Sequence, residues 1–111
     1  ALDALGIGFL ELREPGPDGT FGNTDVPKQS PAIRKVFKGP LILNSDYDVA
    51  KAETALASGV ADAIAFGRPF IGNPDLVERI KSGAAWAADN PRTWYSPGAE
   101  GYTDYPALVD A

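Results

Sequence analysis

Two patterns of apolar residues alternate along the chain, short continuous runs and residues spaced three or four positions apart. Together they predict three strands separated by helices. Short apolar runs without helical spacing predict strands at residues 7–12, 40–43 and 62–66, the first of them buried on both faces. Between and after these runs, apolar residues recur every three or four positions, which is typical of helices with one buried face. The resulting order, β-α-β-α-β-α, predicts a parallel sheet with helical crossovers.

Turn and capping residues predict where the helices begin. Ser30 followed by Pro31 predicts the start of the first helix, and Asp46 or Asp48 that of the second. Asn73 with the proline after it predicts the start of the third helix. The inward faces are predicted to hold Ile33, Val36 and Phe37; Val49, Ala52, Ala55 and Leu56; and Leu76, Val77 and Ile80.

Two segments lie outside this periodic pattern. Residues 14–28 are polar and rich in Gly and Pro, which predicts a long loop. Residues 84–111 hold both tryptophans and three of the four tyrosines, which predicts an irregular tail that packs through its aromatic side chains. Tyr102 and Tyr105 are expected to fix this tail in place rather than to bind a ligand.

Composition narrows the chemistry that the chain can perform. The net charge of −5 offers nothing that would attract nucleic acid or an anionic membrane, and no apolar run has membrane-spanning length. Cysteine and histidine are both absent, which excludes thiolate and imidazole chemistry within these 111 residues. We therefore expect no metal site, no nucleic-acid or membrane partner and a cytoplasmic location.

Candidate chemistry lies where two of the predicted strands end. Residues 44–47 follow the second strand, and Gly67 and Arg68 follow the third. Backbone N–H groups, a fixed cation and a helix N-terminus are the parts of a phosphate site. The alternatives are an ordinary loop with an aspartate cap and a structural ion pair of Arg68. Because both turns follow neighbouring strands, phosphate binding is favoured, as at the phosphate-binding end of a (β/α)8 barrel.

Three motifs together resemble the C-terminal part of the Old Yellow Enzyme family of ene-reductases: AIAFGRPFIGNPDL at residues 63–76, TWY at 93–95 and EGYTDYP at 100–106. The resemblance covers essentially the whole chain and implies an α/β protein with the (β/α)8 TIM-barrel fold. Residues 1–111 would be the C-terminal portion of one FMN-binding domain, comprising its last three βα units and a tail from about residue 84. FMN is implied as cofactor, NADPH as reductant and an enone-type substrate whose activated C=C bond is reduced.

The same resemblance implies a set of cofactor-binding residues: Asn44, Ser45, Asp46, Tyr47, Ala65, Phe66, Gly67, Arg68 and Tyr95. Tyr95 is also the candidate for the substrate pocket, and residues 15–26 fall where family members vary in substrate access. Ser45 departs from the glycine common in the family and needs a more restricted backbone. Asp46 would repel a phosphate unless its side chain turns away to cap the next helix.

The groups that the family uses for catalysis lie upstream of the matched region. These are a His/Asn or His/His pair, a proton-donating Tyr and an Arg near the flavin pyrimidine, so we expect no catalytic residue in this chain. Three strands also cannot close a barrel, and we expect the remaining N-terminal part of the barrel as a partner. The open alternatives are another FMN- or phosphate-binding TIM-barrel enzyme and a non-catalytic half-barrel fragment.

Overall fold

A computed structural model describes residues 1–14 and 27–108, and the chain divides into two compact units, Ala1–Phe66 and Gly67–Ala111. Most of the predicted loop at residues 14–28, including residues 15–26, lies outside the described residues. The first unit contains a three-stranded parallel sheet in the order β1-β2-β3. Its strands are β1 (Leu10–Arg13), β2 (Leu41–Asn44) and β3 (Ala63–Ala65). The predicted parallel α/β arrangement is thereby confirmed.

The core of the first unit lies where β2 meets the helix that follows it. Leu41 and Leu43 of β2 are almost fully buried and cluster with Ala55 and Ala61. The prediction that the first strand is buried on both faces is wrong, because β1 alternates between half-buried and exposed residues. Its sequence, Leu-Glu-Leu-Arg, alternates apolar and polar side chains with a period of two, which leaves one face polar.

Two helices belong to this unit, α1 (Ser30–Val36) and α2 (Val49–Ala57). Asp48 caps α2, because its side chain accepts a hydrogen bond from the Lys51 N–H at 2.7 Å. The sequence predicted Ser30 as the N-cap of α1. In the structure, Ser30 is instead the first residue of that helix. The Glu14 carboxylate takes the capping role, since its Oε2 accepts from the N–H groups of Gln29 at 2.9 Å and Ser30 at 3.1 Å.

The predicted inward faces of these helices are confirmed in part. Phe37, Ala52 and Ala55 are buried, whereas Val36 and Leu56 are exposed. Helix α1 ends at Val36, and the buried Phe37 lies just beyond it with extended backbone angles. On α2 the buried stripe consists of small alanines and is too narrow to include Leu56.

The second unit contains α3 (Arg68–Gly72), α4 (Leu76–Ser82) and a 3₁₀ turn at Pro91–Thr93. The helix predicted to start at Asn73 is present as α4, but it begins at Leu76, because Asn73 is the C-cap of α3. Leu76 is buried as predicted, but Val77 is exposed. The buried position one turn along α4 is taken by Arg79, whose Nε donates to Asp75 at 2.8 Å. That ion pair compensates for the burial of the arginine's charge.

Side-chain hydrogen bonds fix the tail of the second unit. The Tyr105 hydroxyl accepts from the Asn90 N–H at 2.8 Å, and Asp75 Oδ2 accepts from the Leu108 N–H at 2.7 Å. The structural role predicted for Tyr105 is therefore confirmed. The same prediction for Tyr102 is wrong, since its side chain is 78% exposed.

Candidate functional site

The turn after β2 has an unusual backbone. Ser45 has a φ of 103° and Asp46 a φ of 57°, and these are the positive-φ residues other than glycine in the described part of the chain. Residues with a side chain rarely adopt positive φ, because their Cβ then approaches the neighbouring peptide groups. Two such residues in succession store backbone strain, and strain of this kind is concentrated at binding and active sites. The restricted backbone expected for Ser45 is thereby observed.

Replacing Ser45 by glycine is expected to raise the free energy of unfolding of the complete protein by about 0.5–1 kcal/mol, because relief of strain outweighs the added freedom of the unfolded chain. The matched control is Ser58→Gly, since Ser58 has an ordinary φ of −76° and glycine there should lower stability. Urea denaturation of the two variants makes the comparison. Equal losses of stability would show that the turn at Ser45 is unstrained.

Tyr47 completes this turn and carries a neutral phenol. Burial, with a contribution from the Glu14 carboxylate, raises the pKa of Tyr47 above its ordinary value. The ammonium group of Lys28 lies 5.9 Å from the centroid of the Tyr47 ring, within cation–π range. At neutral pH the Tyr47 hydroxyl therefore remains a hydrogen-bond donor and does not serve as a base.

Asp46 does not cap the next helix, which was one of the two roles predicted for it. Asp48 caps α2 instead. The Asp46 side chain is nevertheless partly withdrawn from water, since its Oδ2 is inaccessible to solvent. Asp46 also borders a cavity of about 490 Å³ beside α2, whose walls include Lys28, Ser30, Leu43, Ser45, Tyr47 and Lys51. The turn is thus bordered by open space as well as by the core.

The ends of β2 and β3 are direct neighbours in the sheet. Asn44 pairs in register with Ala65, the last residue of β3, and Phe66 follows as a half-buried residue. Because the strands are parallel, residues that follow Asn44 and Ala65 leave the sheet at the same edge. Four of the predicted site residues, Asn44, Ser45, Ala65 and Phe66, are therefore brought to one edge of the sheet within the first unit.

Gly67 and Arg68 begin the second unit. Gly67 has a φ of −105°, which any residue adopts, and a Cβ added there would meet no atom of the described chain within 4 Å. Neither backbone angle nor packing in the described residues thus requires glycine at this position, and its missing side chain leaves the start of α3 open. Arg68 is the first residue of α3. A backbone N–H and a guanidinium are hydrogen-bond donors suited to an anion, and the open space beside Gly67 would let an anion approach them.

The Arg68 guanidinium lies over an aromatic ring. Its central carbon is 5.7 Å from the centroid of the Trp94 ring, a cation–π distance. The alternative predicted for Arg68, an ion pair with a carboxylate, is not tested by this contact. Trp94 belongs to the TWY motif but was not among the predicted site residues, because sequence spacing does not show that residues 68 and 94 meet.

Tyr95, the candidate for the substrate pocket, is 96% exposed in the second unit. Its ring therefore fills no core in the described part of the chain.

Glu14 is a residue that sequence reasoning missed, and it is only 6% exposed. A carboxylate at the start of a polar loop ordinarily faces water, and the only hint was its position directly after a strand.

In residues 1–14 and 27–108, none of the helices combines the length and the apolar character needed to cross a bilayer. The same residues contain no cluster of three acidic side chains placed to hold a metal ion, and the chain has neither histidine nor cysteine.

Comparison with known proteins finds one family and a consistent set of relatives. The family model of the NADH:flavin oxidoreductase / NADH oxidase family matches residues 2–86. An Old Yellow Enzyme homologue from Zymomonas mobilis superposes with a TM-score of 0.92 at 60% identity, covering 96% of this chain and 30% of that one. A morphinone reductase in complex with tetrahydroNAD gives a TM-score of 0.80 at 44% identity, covering 96% of this chain and 28% of that one.

A third relative comes from Leishmania infantum and is described as a probable flavin mononucleotide-dependent alkene reductase. It is 40% identical over 75 residues, which are 68% of this chain and 20% of the relative. The chain thus spans about a third or less of the length of each of these proteins.

Proposed function

Because this chain belongs to the NADH:flavin oxidoreductase / NADH oxidase family, we propose that the complete protein is an FMN-dependent oxidoreductase that reduces activated C=C bonds with NADPH. The resemblance to Old Yellow Enzymes seen in the sequence is confirmed by the family match and by the Zymomonas homologue. The Leishmania relative supports FMN and alkene reduction, and the morphinone reductase complex supports a nicotinamide reductant. NADPH, an enone substrate and a cytoplasmic location are parts of this proposal.

The proposed fold of the complete protein is a (β/α)8 TIM barrel. Residues 1–111 would form the C-terminal portion of one FMN-binding domain, with an irregular tail from about residue 84. Support comes from the three parallel strands in sequential order, which is the arrangement of consecutive barrel units. The sheet would continue into an N-terminal part that supplies the other strands, since the closed barrel has eight.

The observation that carries the proposal is the pairing of β2 with β3, which brings two strand ends to one sheet edge, one of them followed by a strained turn. In TIM barrels the phosphate site is built from the loops after the last two strands. We assign FMN contacts to Asn44, Ser45, Asp46, Tyr47, Ala65, Phe66, Gly67, Arg68 and Tyr95. Backbone N–H groups of the first turn and the Arg68 guanidinium would hold the phosphate, because both are donors suited to it.

When bound, FMN supplies hydride transfer between the nicotinamide and the substrate. The residues of this chain bind and orient: Arg68 neutralises phosphate charge, and the neutral Tyr47 hydroxyl donates without taking a proton. The exposed Tyr95 side chain would line the substrate pocket. Polarisation of the substrate carbonyl by a His/Asn or His/His pair and protonation of the product by a Tyr would belong to the N-terminal part, as the family resemblance implies, and this chain has no histidine.

The proposal is tested by following the two halves of the reaction separately in the complete protein. Under anaerobic conditions, NADPH should bleach the yellow flavin band, and 2-cyclohexenone should then restore it. A saturated ketone of the same ring, cyclohexanone, is the matched control and should leave the flavin reduced. A purified protein without flavin, or a reduced flavin that only oxygen reoxidises, would contradict the proposal.

A further inference from the structure

In the second unit, the ring beneath the Arg68 guanidinium is itself held in place. Trp94 presents its ring to Arg68 at 5.7 Å, and its indole Nε1 donates a hydrogen bond to Asp89 Oδ2. The hydrogen bond fixes the orientation of the indole, and the ring face attracts the cation. A contact of this kind lowers the number of rotamers that a long arginine side chain samples. The Asp89–Trp94 pair therefore restricts where the Arg68 guanidinium lies.

The backbone that carries Asp89 is docked on the helix that begins with Arg68. The Asn73 side chain accepts from the Ala87 N–H at 2.7 Å and donates to the Ala87 carbonyl at 3.0 Å. At Gly72, an added Cβ would lie 3.1 Å from the Ala87 oxygen and 3.2 Å from the Asp89 nitrogen, so the two segments approach closely. Successive contacts thus connect helix α3 to residues 87–89, these residues to Trp94, and Trp94 back to Arg68 at the start of the same helix.

We propose that Trp94, held by Asp89, is a positioning residue for the Arg68 guanidinium and sets how tightly the protein binds the phosphate of FMN. This inference rests on the proposed function, in which Arg68 contacts that phosphate. Trp94 acts through Arg68, because a cation held in one orientation loses less conformational entropy when the anion arrives.

The inference predicts a loss of affinity that depends on the phosphate. Riboflavin is the matched ligand, since it is FMN without the phosphate, and flavin fluorescence measures the dissociation constants of both with the complete apoprotein. Trp94→Leu is expected to weaken FMN binding about fivefold and to leave riboflavin binding unchanged, a size typical of a partly exposed cation–π contact. Asp89→Ala should act in the same direction, about twofold. Trp86→Leu, which removes the other tryptophan, should not change the ratio of the two constants.

A double-mutant cycle separates positioning from a general structural role. In an Arg68→Ala background, Trp94→Leu should cause no further loss that is specific to FMN. Equal weakening of FMN and riboflavin by Trp94→Leu, or the same FMN-specific loss without Arg68, would overturn the inference. If Trp94→Leu does not fold, Trp94→Phe keeps an aromatic ring, although a smaller one, and removes the indole N–H that Asp89 accepts; about a twofold FMN-specific loss is expected.

The two proposals fail in different ways. If Arg68→Ala leaves the ratio of FMN to riboflavin affinity unchanged, the phosphate role proposed for Arg68 is wrong. If Arg68→Ala lowers that ratio and Trp94→Leu does not, the phosphate role stands and the positioning role of Trp94 is wrong.

Discussion

Replacing Asn73 by alanine is expected to lower the free energy of unfolding of the complete protein by about 2–3 kcal/mol. Asn73 is fully buried, and its side chain makes three hydrogen bonds, to the Pro69 carbonyl and to both backbone groups of Ala87. Alanine removes all three bonds and leaves a small void between α3 and the tail. Because α3 begins with Arg68, the variant is also expected to bind FMN less tightly.

Denaturation with urea, followed by tryptophan fluorescence, measures this loss. The matched control is Asn90→Ala in the same unit, which removes one capping hydrogen bond, to the Arg92 N–H at 3.1 Å, from an exposed asparagine. The control should cost about 1 kcal/mol or less. Similar losses in both variants would show that the buried Asn73 network adds no stability beyond that of an ordinary cap.

Replacing Arg68 by alanine is expected to weaken FMN binding by about 1.5–3 kcal/mol, the range for hydrogen bonds to charged groups. That range corresponds to an increase of about 10- to 150-fold in the dissociation constant. Riboflavin binding should change little, because the lost interaction is with the phosphate. Titration of the complete apoprotein with each flavin, followed by fluorescence quenching, provides both constants.

Arg92→Ala is the matched control, since Arg92 is an exposed arginine of the same unit. It should leave both constants unchanged, whereas Arg68→Lys should recover part of the FMN affinity by restoring charge without the guanidinium fork. Full retention of FMN by Arg68→Ala after dialysis would contradict the assignment of Arg68 to the phosphate.

The strands of the sheet could be predicted from the local pattern of apolar residues, because a few consecutive residues are enough to indicate each strand. The apolar residues Leu41 and Leu43 define β2, and Asp48 lies where a helix cap was expected. Where signals competed, the prediction failed. Pro69 lies in the first turn of α3 and the Asn73–Pro74 pair precedes α4, and the prediction used the second signal alone and so missed α3.

Contacts between distant residues could not be predicted from spacing. Glu14 caps a helix that begins 16 residues later, and Trp94 meets Arg68 across 26 positions. A serine gives no local sign of a left-handed backbone, so the unusual backbone of Ser45 was expected only through the family's glycine at that position. The site residues were found through family resemblance and through their position after two strands, while the residues that support them required coordinates.

A crystal structure of the complete protein with its flavin would test directly whether these turns hold the phosphate of FMN, as we propose. We expect phosphate oxygens within hydrogen-bond distance, roughly 3 Å, of backbone N–H groups in the turn at residues 44–47 and of the Arg68 guanidinium. A phosphate bound elsewhere, with Arg68 turned away from the flavin, would contradict the proposal.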